Sequence, residues 1–418
     1  MESPVRDRMH RLLRWSERYT KVDMLYFASG GFWLSAGSVM GAALSFLVAL
    51  IFANFLDPEI YGSYKYILSI AGILGISVLP GIDTALVRAV SRGKEGTVTV
   101  VMKTRVLWGL LGTAAGVALT IYYWLHGNAS LGAGFLVVAL FIAIMDPLTS
   151  YDDLLQGRSD FRRSSLFGFA IQIGVSLLMA GSVLAFHALV PLLLAYFAGY
   201  TFLRLIALVY TFKEHPPNRE RDDTAIGYGK HLTFLKGVST VASSLGSIVL
   251  FHTLGGTGLA IYSIALAPIE QARGLLNSVG SLVLPKFSKD SWTVPSPAIL
   301  AHKTRAFFAV LTLGIICYIG AAPYVFRLLF PRYVASVPYS QVLALSLLLT
   351  IAGVILTSIL RAKKEVRKIY AFSVTSITTT LILTGPMTYL WGVWGLIASQ
   401  FTVKIVETAT LWYLIFLQ

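Results

Sequence analysis

The sequence predicts an all-α integral membrane protein of about 12 transmembrane helices, built as two six-helix bundles that repeat in parallel. Three observations carry this: composition, run length and an internal match. The 418 residues are 56% hydrophobic and only 13% charged, with a mean hydropathy of +0.72, whereas about 25% of residues in soluble domains are charged. Only lipid accepts such a surface. Apolar runs of the length that a hydrocarbon core of about 30 Å asks of a helix follow one another from end to end, and no stretch between them is long enough for a soluble domain.

Counting these runs places spans at 30–55, 62–86, 106–125, 131–147, 165–186, 189–212, 232–254, 258–284, 306–330, 337–360, 369–390 and 393–417. Transmembrane strands are excluded, because they alternate apolar and polar residues over about ten positions and these runs are longer and continuous. The first 25 residues are basic and hold no compact apolar stretch with a small-residue cleavage site, so insertion is expected to begin with the first span.

Basic residues set the orientation. With the N-terminus inside, 27 of the 34 lysines and arginines fall on cytoplasmic segments, while the opposite loops are short and hold only Arg332, with Arg327 nearby. Both termini are therefore expected in the cytoplasm, in the cytoplasmic membrane. The net charge of +14 follows from this topology; the bases are spread over every inner loop rather than grouped beside aromatic residues, so no nucleic acid partner is expected. Membrane lipids are the expected surroundings, and an anionic inner leaflet attracts the basic N-terminal segment.

Superposing the chain on itself at an offset of 198 lays Leu56–Leu68 on Leu254–Leu266, matching Leu56 with Leu254, Tyr64 with Tyr262 and Leu68 with Leu266, and puts Arg88 on Lys286. Six spans separate the copies, so the halves enter the membrane in the same sense. The expected division is a basic N-terminal segment 1–29, a bundle 30–212, a cytoplasmic linker 213–231 and a bundle 232–418. Small residues at helical spacing read as packing faces: Gly37 and Gly41, Gly112 and Gly116, and Ser239, Ser243 and Ser247. Pro268 and Pro386 lie within runs and are expected to kink them.

The stretch from Phe52 to Gly93 carries a short outer loop with Pro58, Glu59, Tyr61, Gly62 and Tyr64, then an inner end reading Asp83, Thr84, Ala85, Leu86, Val87, Arg88. It resembles the first hairpin of the O-antigen and polysaccharide-repeat flippases (the Wzx family) of the multidrug/oligosaccharidyl-lipid/polysaccharide exporter superfamily. Tyr262, Ser263, Ala265 and Leu284 to Lys286 in the second half are similar to that family too, as is Leu328 to Ser336, although Pro331 stands where a glycine is common. The resemblance implies two lobes around a central cavity that opens alternately to either side. It implies a lipid-linked oligosaccharide on polyprenyl pyrophosphate as substrate, moved from inner to outer leaflet, with polysaccharide polymerase and glycosyltransferases as partners. A cation-coupled multidrug exporter of the same superfamily is the alternative.

Ionisable residues inside spans cost about 2.5 to 3.5 kcal/mol on insertion scales, so each asks for a reason. The cations are Lys65, Arg204, Lys236, Arg273 and Lys404; the acids are Asp83, Asp146, Glu270 and Glu407. A pyrophosphate wants positive charge and donors, which makes the five cations the candidate substrate ligands, Arg273 first because it lies near the middle of its run. Glu270 three residues before Arg273 and Glu407 three after Lys404 share a helical face with their cations, so each pair also has a self-neutralising or coupling reading. Asp83 with Arg88 reads as a clamp closing span two.

Catalysis has little to stand on. Asp152 with Asp153 and Asp222 with Asp223 sit in short basic loops and read as charge balance. The seven histidines show no metal-ligand spacing, and there is no Gly-rich phosphate loop. Neither enzyme activity nor a metal or cofactor is expected. The single Cys317 excludes an intrachain disulfide and reads as a core residue. Transport is expected to draw on a gradient or on substrate supply.

Overall fold

The computed structural model describes residues 40–41, 43–287, 297–362 and 365–416, and among these every regular element is helical. The segment 1–29, the start of the first span, Gly37, Lys289, Lys363 and Lys364 lie outside the described residues, as do the side chains of Leu284 to Lys286. The first half contains α1 (Ala43–Phe55), α2 (Pro58–Leu74), α3 (Ile82–Ser91), α4 (Thr97–Leu125), α5 (Ala129–Met145), α6 (Ser150–Gly157), α7 (Phe161–Phe186) and α8 (Leu189–Glu214). The second contains α9 (Ala225–Phe287), α10 (Pro297–Leu329), α11 (Val337–Ala362) and α12 (Val366–Phe416).

Among the described residues eight helices are long and apolar enough to cross a bilayer, nine when the bent pair α2 and α3 counts as one span. Two of them, α9 and α12, are each two helices joined at a glycine, Gly255 (φ 72°, ψ −173°) and Gly392 (φ 57°, ψ −131°). Side chains rarely tolerate such dihedrals, and glycine enters them freely. The turn in α12 reverses the chain: a Cβ on Gly246 would lie within 3.3 Å of both Thr384 and Leu396, residues that a straight helix would hold about 18 Å apart. Dividing both helices and adding the shorter α1 gives 12 apolar helical segments, consistent with the expected 12-helix bundle. The expected kinks at Pro268 and Pro386 are not the breaks, since the non-helical residues are the two glycines. A proline removes one hydrogen bond, whereas a positive φ turns the chain.

The basic end of the molecule carries the α3–α4 turn and the α8–α9 segment; the short-loop end carries Asp57, Gly255 and Gly392. Between the ends, α2 and α3 run antiparallel to the first part of α9. Gly62 abuts Gly256, Tyr66 stacks on Phe251 at 4.1 Å, Gly81 meets Thr233, and Ala85 and Ala89 pack on Ala225. The short-loop end is tied further. Asn54 donates to the Leu329 carbonyl at 2.9 Å, Arg332 to that of Leu56 at 3.2 Å, and Tyr61 meets Tyr333 edge to face. Glu59 accepts from the Gly256 N–H at 3.1 Å, the Thr257 N–H at 2.9 Å and the Thr257 hydroxyl at 3.0 Å. Positions 59 and 257 are 198 apart, the offset of the internal match, so equivalent sites of the two repeats touch.

Packing follows the small residues in α4: a Cβ on Gly112 would strike Ser77, and one on Gly116 would strike Ala139. In α9 the buried stripe is Ala242, Gly246 and Leu250, while Ser239 and Ser243 are exposed, one position off the expected face. Rows of bare apolar side chains, Leu107, Leu110 and Leu111 on α4 and Val310, Leu313 and Ile316 on α10, give the surface that lipid wets. Cys317 stands exposed on that same α10, not in the core. A run of apolar residues reads alike whether side chains or acyl chains surround it.

Candidate functional site

Each half carries a ladder of polar groups that starts near the short-loop end and gains charge toward the basic end. In the first half, α8 presents Tyr196, Tyr200 and Arg204 at successive turns, with Tyr64 of α2 edge-on to Tyr196 at 6.3 Å. The Arg204 guanidinium lies 4.8 Å from the Tyr200 ring centre, donates to the Met145 carbonyl at 3.1 Å and pairs with Asp146 at 3.2 Å. Lys65 lies over the Tyr61 ring at 5.4 Å.

In the second half the Gln400 amide donates to the Tyr262 hydroxyl. Four residues further on α12, Lys404 pairs with Glu407 at 2.7 Å, and Glu407 also accepts from Ser376. Arg273 pairs with Glu270 at 2.7 Å and donates to the Ser346 hydroxyl at 3.1 Å. Both expected pairs therefore form, each with a hydroxyl from a neighbouring helix. The Arg273 Nε and the Gln400 Oε1 are buried with no hydrogen-bond partner. At 1.5 Å per residue, Lys404 lies about 18 Å from the turn at Gly392 and Arg273 about 27 Å from that at Gly255. In a core about 30 Å thick, Arg273 thus sits toward the basic end rather than at mid-span.

The bend between α2 and α3 is 48°. A 3-10 turn (Gly75–Val78), a left-handed Leu79 and Pro80 interrupt the helix and free carbonyls that need donors. Arg105 of α4, only 2% exposed, donates from Nε to the Val78 carbonyl at 3.2 Å and holds Asp83 at 2.9 Å. From the other half, Lys236 donates to the Pro80 carbonyl at 2.8 Å, and the Thr233 hydroxyl accepts from the Gly81 N–H at 3.0 Å. Asp83 thus takes Arg105 as its partner in place of the expected Arg88, whose guanidinium lies over the Tyr228 ring at 5.6 Å. The clamp expected from sequence proximity is made across helices, because the bend turns Asp83 toward α4.

Sequence reasoning missed Arg105 and Asp153. Arg105 lies just outside the run 106–125, among the cytoplasmic bases, and Asp153 reads in the sequence as charge balance, yet Asp153 is 7% exposed and 3.9 Å from Arg105. The available signal was the amphipathic register of Tyr151, Leu154 and Leu155, which shows that this loop is a packed helix. At the basic end, Glu95 and Arg158 form a two-pronged pair at 2.7 Å for both bonds. Asn218 from the α8–α9 segment accepts from the Glu95 and Gly96 N–H groups at 3.1 and 3.3 Å. The guanidinium of Arg158, followed by the Asn218 N–H, holds the Glu95 carboxyl below its ordinary 4.5, against the upward pull of burial.

The arrangement as a whole recurs in solved structures. The lipid II flippase MurJ in an inward closed conformation aligns with a TM-score of 0.68 at 13% identity, over 93% of this chain and 87% of that one. The eukaryotic MATE transporter AtDTX14 aligns at 0.65 and 13%, over 94% and 96%. A transporter of the MOP superfamily from Pyrococcus furiosus aligns at 0.55 and 16%, over 91% and 94%. At these identities the likeness is one of fold. No curated protein matches in sequence. The family model described as polysaccharide biosynthesis protein matches residues 27–290, which take in the broken α2–α3 span, the whole first ladder and Arg273. With most of its length matched by that model and its helices in the order of the exporter fold, this multi-pass membrane chain belongs to the polysaccharide biosynthesis protein family.

Proposed function

We propose that the protein is a flippase. It moves an oligosaccharide linked to polyprenyl pyrophosphate from the inner to the outer leaflet of the cytoplasmic membrane, for surface polysaccharide synthesis, with both termini in the cytoplasm. The lobes 30–212 and 232–418 rock about the linker 213–231. The observation that carries the reading is the accessibility of charge at membrane depth: the side chains of Glu270, Asp146 and Lys404 are 51%, 35% and 34% exposed. Charges at that depth face water or a ligand, not acyl chains. Arg273, Lys404 and Arg204 serve as pyrophosphate donors, with Lys236 at the basic end and Lys65 near the opposite end. The hydroxyls of Tyr196 and Tyr200, which make no hydrogen bond among the described residues, meet sugar hydroxyls. Glycosyltransferases supply the substrate and a polymerase consumes it.

The test is leaflet-resolved measurement of lipid-linked oligosaccharide in cells carrying wild-type protein, Arg273→Ala or no copy, at matched expression. Inner-leaflet accumulation in both defective strains is expected. Accumulation in the null strain alone keeps the function and removes Arg273 from the path. No accumulation in either favours the multidrug exporter reading.

A further inference from the structure

Beside the bend between α2 and α3 stands a carboxylate of α6 that substrate binding does not use. Asp153 is more than nine-tenths buried, and its buried Oδ2 accepts no hydrogen bond. Its counter-charge, Arg105, is 3.9 Å away and already engaged, with Nε on the Val78 carbonyl and a terminal nitrogen on Asp83 at 2.9 Å and Thr149 at 3.5 Å. The other charged groups around the pair are also occupied. Asp152 on the same helix accepts from Ser164 and Gln156, Lys236 of α9 donates to Pro80, and Asp146 is paired with Arg204 of α8. Four acids therefore meet three bases. The Asp83 oxygen that faces Arg105 likewise accepts no hydrogen bond, but it lies 2.9 Å from the guanidinium, whereas that of Asp153 lies 3.9 Å away and is the less well held. A buried carboxylate in that position is neutralised more readily than it is kept charged. Among the described residues no three carboxylates, histidines or cysteines are grouped to hold a metal ion.

We propose that Asp153 is a proton-binding site whose occupancy sets the bend of the second span. One proton from water converts the carboxylate to the neutral acid, and no other bond changes. With the proton bound, Arg105 stays on Val78 and Asp83, and the bend is held. With the proton released, two carboxylates compete for one guanidinium, Arg105 swings toward Asp153, and the Val78 carbonyl loses its donor. Because Lys236 and Thr233 of the second half hold the same bend, loosening it frees one half from the other at the basic end. Use of this proton to drive substrate rests on the flippase reading; its presence on Asp153 does not.

Infrared difference spectra of the purified full-length chain in lipid nanodiscs, titrated across the neutral range, test the site. The expected result is a protonated-carboxyl stretch that fades as pH rises, persists in Asp152→Asn and is lost in Asp153→Asn. Absence of the band from wild-type protein, its survival in Asp153→Asn, or a response to sodium in place of pH overturns the proposal. Should Asp153→Asn fail to accumulate, Asp153→Glu is expected to shift the band, and an unshifted band is equally fatal. In vesicles, a pH gradient is expected to speed transfer of lipid-linked oligosaccharide between leaflets by wild type and not by Asp153→Asn. A titrating band without any transfer overturns the flippase reading and leaves the proton site standing.

Discussion

Arg105 shows what a single side chain contributes when it serves a freed carbonyl and a carboxylate of a broken helix at once. Removing it as Arg105→Ala strands Asp83 and the Val78 carbonyl; losing one member of a fully buried ion pair costs about 3 to 5 kcal/mol, and the partial exposure of Asp83 lowers the figure here. The expected outcome is a much lower thermal midpoint in detergent, with Arg105→Lys recovering only part of it, because an ammonium lacks the fork that serves both acceptors. Glu95 belongs to the same scale and has a definite pH signature. Its folded-state pKa lies below the ordinary 4.5, so its stabilisation is fully present above that value and is lost as pH falls through the folded value. Thermal midpoints of wild type and Glu95→Gln should differ by a constant amount from neutral pH down to about 4.5 and converge below it. The pairs of Arg273 with Glu270 and Lys404 with Glu407 were legible in the sequence because their partners are three residues away. Arg105 was not, because its partners sit 22 and 48 positions off and only the fold brings them together.

At the scale of elements, glycine governs where helices end and how closely they approach. Gly255 and Gly392 turn α9 and α12 with dihedrals that side chains avoid, so the two 50-residue apolar segments become pairs of spans. The sequence placed the span boundaries near both glycines from run length alone, since 50 residues far exceed a bilayer's reach. Close approach is a different matter. A Cβ on Gly62 would come within 1.8 Å of the Gly256 carbonyl oxygen, and both partners are backbone. In Gly62→Ala the two helices must part, so the mutant is expected to lose stability, read as a lower thermal midpoint in detergent. The serine stripe of α9 failed as a packing face because apolar and small polar residues alternate along both sides of that helix. Which side meets α12 is set by the neighbour, as Gly246 against Leu396 and Thr384 shows.

At the scale of the molecule, the halves touch at equivalent positions of their repeats, through Glu59 and Thr257. Three donors converge on that carboxylate, and hydrogen bonds to a charged acceptor are worth about 1.5 to 3 kcal/mol each. Much of this is offset by exposure to water at the short-loop end. Neutralising the latch as Glu59→Gln should raise the population opened at that end, seen as a longer distance component between spin labels at Phe55 and Leu328. An unchanged distance distribution would assign closure to the aromatic contact of Tyr61 with Tyr333 instead. The match at offset 198 made the repeat legible, yet nothing in it told that the two copies face each other across this contact.

The sequence by itself determined the membrane class, the number of spans, the repeat and the cations at depth, because hydrophobic run length and local spacing are properties of the chain taken in order. Tertiary structure alone decided which helix each charge answers to. It gave Asp83 to Arg105 rather than Arg88, carried Lys236 across to Pro80, buried Asp153 and left Cys317 facing lipid. The physical reason is that the cost of a buried charge is set by donors from elsewhere in the chain, and a bend of 48° between two short helices redirects every side chain beyond it.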